Sequence, residues 1–551
     1  MTAQKALLLA LALAGTPSLP GAANYSVNGV VIDSQSQRPL ANARVSLAPA
    51  IARVQKLELV TKQDGLFSFV VNQAGKYSLQ IAKPGYPEQS YQQGGIAGVS
   101  SAIVVRDDQD TSHVVFQARR GGVVAGQIKD EDSEPVGNAV VTIFRSMIVG
   151  GERKLFMWGQ TQANAAGEFR FPNLLRGGYY ICAVGRPWFA DSLIYLGERQ
   201  RRAGPQPDEP PQYSPDPDVR GTAFVPTFYP RAQTIEEAGL IRLETGSEVQ
   251  ASITLPLAKA VTVKGTVSAS GISGGSANLL KKVSDQYVSF LQGTVAQDGT
   301  FQFANVPAGS YEIIATSNSG SGASSWNVGQ EIEAGTSDME VTLRPRPMGA
   351  LMGRVLFEGE RTASTASLFV TLRNEKGNLV RTQVDPEGNF SLSRILPGRY
   401  EVAAASTDYV AAYFAGPSGE HLPLTLEVAS GEPVHRDLML TRAIAGMEGT
   451  VEKAGMPQVG AFVLLMPKNP SARWAYRFDQ TDSDGSYRLA NIPAGDYVLI
   501  ALSDGSDVVY RDAKVAAALA RVGKPVHVES GDHLNQKVDV ISTASLNLPS
   551  P

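Results

Sequence analysis

Asp298-Gly299-Thr300-Phe301-Gln302-Phe303, followed by Pro307-Ala308-Gly309-Ser310-Tyr311-Glu312-Ile313, is the stretch on which the fold turns. The Asp-Gly pair reads as a turn, because glycine supplies the positive φ that a strand start requires. Phe301 and Phe303 then share one face of a strand, with Gln302 outward. Gly309 makes a second turn, and Tyr311, Ile313 and Ala315 point back into the same core.

The same phrase occurs five times. Its other copies run Gly65–Phe69, Gly167–Phe171, Gly388–Leu392 and Gly485–Leu489. In each, a tyrosine stands ten residues after the first aromatic, at 77, 179, 311, 400 and 497, and a glycine stands two before that tyrosine. Each copy opens with Gly-x-Val/Ile at Gly29, Gly126, Gly265, Gly353 or Gly449. Each closes with another alternating strand: Val114–Ala118, Ile253–Leu257, Val341–Leu343, Leu438–Leu440 or Val538–Ile541. Period two over short strands separated by Gly/Pro turns predicts an all-β chain of sandwiches. At 551 residues the chain exceeds one hydrophobic core, which agrees with a string of units. The tyrosine is never phenylalanine, although the first aromatic varies (Tyr487), so its hydroxyl is expected to hydrogen-bond at a sandwich corner.

The run from Gly-x-Val through Pro39-Leu40-Ala41-Asn42-Ala43-x-Val45 to Asp-Gly-x-Phe-x-Phe and Pro-x-Gly-x-Tyr resembles the carboxypeptidase regulatory-like (transthyretin-like, carbohydrate-binding-like) domains of bacterial secreted proteins. Pro135–Val141 and Pro457–Val463 repeat its middle part, whereas copies three and four depart from it, so their second strand should differ. The resemblance implies five tandem prealbumin-like or Ig-like β-sandwich modules of about seven strands each. The expected division is 1–23 signal peptide, 24–118, 119–257 with a Pro-rich aromatic insertion at 186–240, 258–345, 346–442 and 443–545. Each module is expected to keep a separate core.

The N-terminus reads as an export signal. Lys5 precedes the apolar run Ala6–Ala14, Gly15 and Pro17 break it, and Gly21-Ala22-Ala23 offers small residues for cleavage before Asn24. No other run reaches the ~18 apolar residues of a membrane helix. Cys182 is the only cysteine, which rules out an intrachain disulfide. It lies out of phase with Tyr179, Ile181 and Ala183, on the opposite face of its sheet. A net charge of −4 gives no basic footprint for nucleic acid. These readings place the protein in the periplasm, on the cell surface or outside the cell.

Catalytic and metal-binding patterns are sparse. None of His113, His421, His435, His527 and His533 falls in a zinc-peptidase motif. His527 and His533 with Asp532 are the nearest to a metal cluster, but they flank a closing strand. Gly271–Gly275 matches Gly-x-Ser-x-Gly without the helix a nucleophile elbow needs. Asp482-Ser483-Asp484-Gly485 has the look of a calcium loop but lacks its remaining ligands, and reads as a turn. Neither an enzyme nor a cofactor is expected.

Specific recognition is expected in the second module. Arg199–Arg202 lead into the Pro-rich acidic stretch Pro205–Asp218. Trp188, Phe189, Phe228 and Tyr229 flank it as either a mini-core or a binding surface, and Trp474 is a further exposed-aromatic candidate. The first functional reading is a non-catalytic structural or interaction protein presenting loops to a protein or glycan partner. The alternatives are a carbohydrate-binding protein using those aromatics, or an accessory subunit of an extracellular enzyme or transport system.

Overall fold

The computed structural model describes residues 25–548 apart from 51–55, 94–99, 108–110, 188–220, 269–273, 285, 318–326, 346–347, 359–367, 375–378, 406–408, 442–444, 470–474, 506 and 547. The export segment therefore lies outside the described residues, as do Gly271–Ser273 and most of the 186–240 insertion.

The chain is a succession of β-sandwiches. In the first, the opening strand Tyr25–Asp33 pairs antiparallel with Leu66–Val71 and parallel with the closing strand Val114–Ala118. The facing sheet is built on Arg44–Pro49, which pairs antiparallel with both Leu57–Val60 and the tyrosine strand Gly75–Lys83. Every later copy repeats this plan, an opening strand held between an antiparallel aromatic strand and a parallel closing strand. In the fourth and fifth copies further pairing joins the two sheets into one continuous path.

The register explains the recurring residues. In all five copies the opening glycine is the cross-strand partner of the first aromatic: Gly29 with Phe67, Gly126 with Phe169, Gly265 with Phe301, Gly353 with Phe390, Gly449 with Tyr487. A Cβ at Gly265 would strike the Phe301 ring, and one at Gly353 or Gly449 would strike the carbonyl of Arg436 or Gln536 on the parallel side. The glycine is thus the floor on which the aromatic ring lies. Tyr487, the variant, turns its extra hydroxyl to use by donating to the Gln536 carbonyl at 2.8 Å. The glycine two residues before each corner tyrosine has φ between +149° and +154°, which side chains rarely adopt.

Four corner tyrosines donate their hydroxyl to the carbonyl four residues back: Tyr77 to Gln73 (2.8 Å), Tyr179 to Leu175 (2.6 Å), Tyr400 to Leu396 (2.9 Å) and Tyr497 to Pro493 (2.7 Å). The expected hydroxyl bond is present there. Tyr311 is the exception: its hydroxyl is buried and meets no partner, while its ring stacks on Phe290 at 5.5 Å. Tyr179→Phe should therefore cost about 1 kcal/mol, and Tyr311→Phe should be neutral or stabilising. Denaturant melts of the two variants check this, and an equal loss would contradict the geometry.

The first, fourth and fifth copies enclose their own apolar clusters, around Phe67, Phe390 and Tyr487. The expectation of wholly separate cores fails between copies two and three. Phe144, Cys182, Val184 and Phe228 of the second belong to one cluster with Phe301, Phe303 and Tyr311 of the third. Val140–Val149 and Gly177–Val184 are consequently buried on both faces over much of their length. Cys182 does point away from its own sandwich, but into this shared core, where burial pushes its thiol up to about 12. Part of the insertion stitches the junction. Thr222–Phe224 pairs with the start of Leu257–Val267, and Thr227–Phe228 pairs with Cys182 and Ala183.

Among the described residues an α-helix, Ala513–Val522, and a short 3-10 turn, Thr543–Ser545, interrupt the all-β pattern. Asp512 caps the helix by accepting from the amides of Lys514 and Val515, and the helix ends at Gly523. Val515 and Leu519 cover the outer face of Phe462–Pro467 and Gly495–Leu502, forming a second cluster with Phe462, Ile500 and Tyr510.

Candidate functional site

Of the aromatic candidates, Trp188, Phe189 and Trp474 lie outside the described residues. Phe228 is fully buried, which corrects its reading as a contact residue: it belongs to the core shared by copies two and three. Tyr229 is half-buried against the second core. His527 is paired with Asp496 at 2.9 Å on the surface. Among the described residues no three His, Cys, Asp or Glu side chains gather where a metal ion could sit.

The turn Asp482–Gly485 turns out to be a docking element within the chain. It meets the first sandwich, some 380 residues away in sequence, in a small polar seam. The amide of Ala102 donates to Asp482 Oδ1 at 2.7 Å, the amide of Val104 to Ser483 Oγ at 2.9 Å, and the amide of Ser483 to the Ala102 carbonyl at 3.0 Å. Ser101 Oγ donates to the Thr481 carbonyl at 2.7 Å. Lys76 pairs with Asp482 at 2.5 Å, and Arg106 with Asp484 at 3.1 Å. Asp482 itself is buried.

The fifth sandwich also reaches the second. Arg176 pairs with Asp504 at 3.3 Å, Arg153 with Asp507 at 3.8 Å, and the Arg511 amide donates to the Gly151 carbonyl at 3.1 Å. The first and second are joined through Gln35 Nε2, which donates to the Thr245 carbonyl at 2.9 Å. The far end of the chain therefore closes back onto its beginning.

Between these three sandwiches lies a cleft of about 660 Å³ whose walls carry six arginines: 119, 120, 145, 153, 176 and 242. Three are balanced. Arg153 and Arg176 are held by the aspartates named above, and Arg120 by Asp33 at 2.7 Å. Burial alone would raise the Asp33 carboxyl, but Arg120, the Ser36 amide and the Tyr86 hydroxyl outweigh it and hold it well below the usual carboxylate range. Arg119, Arg145 and Arg242 have no carboxylate partner among the described residues. Arg145 is only 8% exposed; its Nη2 donates to the Arg176 carbonyl at 3.2 Å, and its Nε meets no acceptor. Its guanidinium lies 4.9 Å from the ring of Trp158, an exposed tryptophan of the strand Glu152–Gln162. The pKa of Arg119 is lowered, first by the protein packed around it and then by the Arg176 charge, against a smaller opposing effect of the Asp504 charge.

Sequence reasoning passed over this site because its residues come from three copies and none belongs to the repeated phrase. The local signals were the pair Arg119-Arg120 at the boundary of the first and second copies, and the unbroken apolar runs Phe462–Met466 and Tyr497–Leu502, which fit a strand pair covered on both faces.

Residues 26–117 match the family model of the carboxypeptidase regulatory-like domain. No curated protein sequence matches the chain. Among solved structures, the TIE protein of Bacillus anthracis aligns over 77% of this chain and 76% of its own, at 11% identity and a TM-score of 0.16. The minor pilin GBS52 of Streptococcus agalactiae aligns over 33% and 96%, at 13% identity and 0.21. The major pilin subunit BcpA of Bacillus cereus aligns over 58% and 99%, at 9% identity and 0.15. Superpositions this low carry no functional conclusion. The likeness is thus to the carboxypeptidase regulatory-like domain over residues 26–117, and the strand plan of that stretch, an opening strand between an antiparallel aromatic strand and a parallel closing strand, recurs along the rest of the chain.

Proposed function

We propose that the protein is an exported, non-catalytic structural or interaction protein of the cell envelope or extracellular space, built of five units at 24–118, 119–257, 258–345, 346–442 and 443–545. The observation that carries this reading is the seam of Asp482–Gly485 on the first unit, which makes the array a closed scaffold rather than a free string. The repeated residues support it as well. Opening glycine, first aromatic and corner tyrosine are all absorbed in building the sandwich, so what recurs is architecture and not a reactive site. A closed scaffold holds its partner-facing loops in fixed relative positions, which lowers the ordering cost of binding.

Solution scattering on the mature chain tests the closed form. A radius of gyration of about 25–35 Å is expected, whereas five units of ~100 residues strung end to end would exceed ~45 Å. The same preparation should start at Asn24 when recovered from an exporting host, and should hydrolyse no peptide, ester or glycoside in a substrate panel. An extended particle, a retained leader or a turnover that survives purification would overturn the corresponding part of the reading.

A further inference from the structure

We propose that the arginine-lined cleft between the first, second and fifth units is a binding site for a polyvalent oxyanion, a ligand carrying two or more carboxylate or phosphate groups. The chain as a whole is acidic, with a net charge of −4, yet this cleft collects positive charge. Six arginines face it against three carboxylates, those of Glu244, Asp504 and Asp507, and Asp33 stands behind Arg120. Two net positive charges remain.

Arginines that merely fasten units together are expected to be paired across the interface, and Arg153 and Arg176 are. Among the described residues Arg119, Arg145 and Arg242 have no carboxylate at ion-pair distance, although the Asp504 charge acts on Arg119 from further off. Arg119 spends one Nη1 bond on the Gln93 carbonyl at 3.2 Å, and Arg242 is exposed at the rim. Arg145 is the most telling. A guanidinium nine-tenths buried, one acceptor short and without a counter-ion is costly to leave unpaired, and an anion seated in front of it relieves that cost. The Trp158 and Tyr179 rings, 4.9 and 6.0 Å away, hold the guanidinium in place but supply no hydrogen-bond acceptor.

The ligand class follows from the chemistry. Guanidinium forks bind carboxylate and phosphate oxygens in pairs, with a geometry that ammonium groups lack. Three separate forks on the walls of one cleft favour a ligand with several such groups over a single ion. Glu244, also in the lining, opposes an anion in the cleft.

The test is calorimetric titration of the full mature chain with citrate and with tripolyphosphate, the carboxylate and phosphate probes, and with glycerol as an uncharged control. At least one anion should bind with one-to-one stoichiometry, weakening several-fold between 50 and 300 mM salt. Arg242→Ala and Arg119→Ala, both at solvent-facing positions, should each weaken binding about 10-fold. Glu244→Gln should tighten it, and Arg354→Ala on the fourth unit should change nothing. Preference for citrate or for tripolyphosphate identifies which oxyanion the site serves. Absence of saturable binding by either anion, or binding unaffected by Arg119→Ala and Arg242→Ala, would overturn the proposal. Circular-dichroism melts keep folding losses separate from lost affinity.

Discussion

Gly265→Ala should destabilise the joined second and third units by about 3 kcal/mol, and adding Phe301→Leu should return part of that loss. The three atoms nearest to the added methyl all belong to the Phe301 ring. A smaller side chain at 301 therefore relieves the collision directly, although Phe301→Leu on its own opens space in the core. The pair should be strongly non-additive. Gly353→Ala in the fourth unit provides the contrast. There the obstruction begins with the Arg436 carbonyl, just before the parallel closing strand, and Phe390→Leu should rescue little. Denaturant titrations of the four single variants and two doubles give both coupling energies. Equal coupling at the two sites would show that the glycine serves something other than room for the ring.

The predicted loss is assigned to a joined pair because Phe301 sits in the same cluster as Phe144, Cys182 and Phe228. Phe390→Ala, in the self-contained fourth core, should lower only its own transition.

The sandwich plan was legible because its determinants are local. Asp298-Gly299, Phe301 and Phe303, Gly309 and Tyr311 lie within fourteen residues, and each states a backbone angle or a face. The pairing of the opening glycine with the aromatic was not read from the sequence and comes from the register alone. The contacts between copies were not legible in the same way. Cys182 was placed on the outer face of its sheet, but only the fold shows that the outer face meets another unit. Phe228 shows the same limit: an aromatic outside the repeat is equally consistent with a platform and with a plug, and burial decides for the plug. The helix Ala513–Val522 was missed for a different reason. Asp512, the alanine-rich run and Gly523 are good helix signals, but they lie outside the repeated phrase from which the fold is read.

The candidate cleft was least legible of all, since Arg119, Arg145, Arg176 and Arg242 come from different strands and connections of the first two units, and the fifth closes over them. No spacing rule links residues whose neighbourhood is created by the return of the chain end.

That return depends on Asp482, and Asp482→Ala should have the second large effect. The side chain is buried, accepts the Ala102 amide and pairs with Lys76, so its removal leaves a buried donor unmet and a lysine without its counter-ion. A loss of about 2–4 kcal/mol at the seam is expected. The corresponding residues of other copies behave differently. Asn164 accepts the Glu168 amide of its own turn at 2.9 Å, and Asp385 accepts the Asn389 amide at 2.6 Å. Asp482 instead turns outward to the first unit, which leaves its own turn to Asp484 and the Ser486 amide at 3.0 Å. Asp482→Ala should therefore spare the fifth sandwich and open the seam. Hydrogen exchange reads this locally: the Ala102, Val104 and Ser483 amides should exchange at least tenfold faster, about 1.4 kcal/mol, while amides of Gly495–Leu502 keep their protection. Asp385→Ala should disturb only its own turn. Arg106→Ala, whose side chain is half exposed at the rim of the seam, should have a far smaller effect. Unchanged exchange at all three seam amides in Asp482→Ala would mean that the first and fifth units are held together without this turn, and the closed scaffold would have to rest on the remaining contacts, the Ser101 bonds to Thr481 and Gln480, the Arg153 and Arg176 pairs and the Arg511–Gly151 bond.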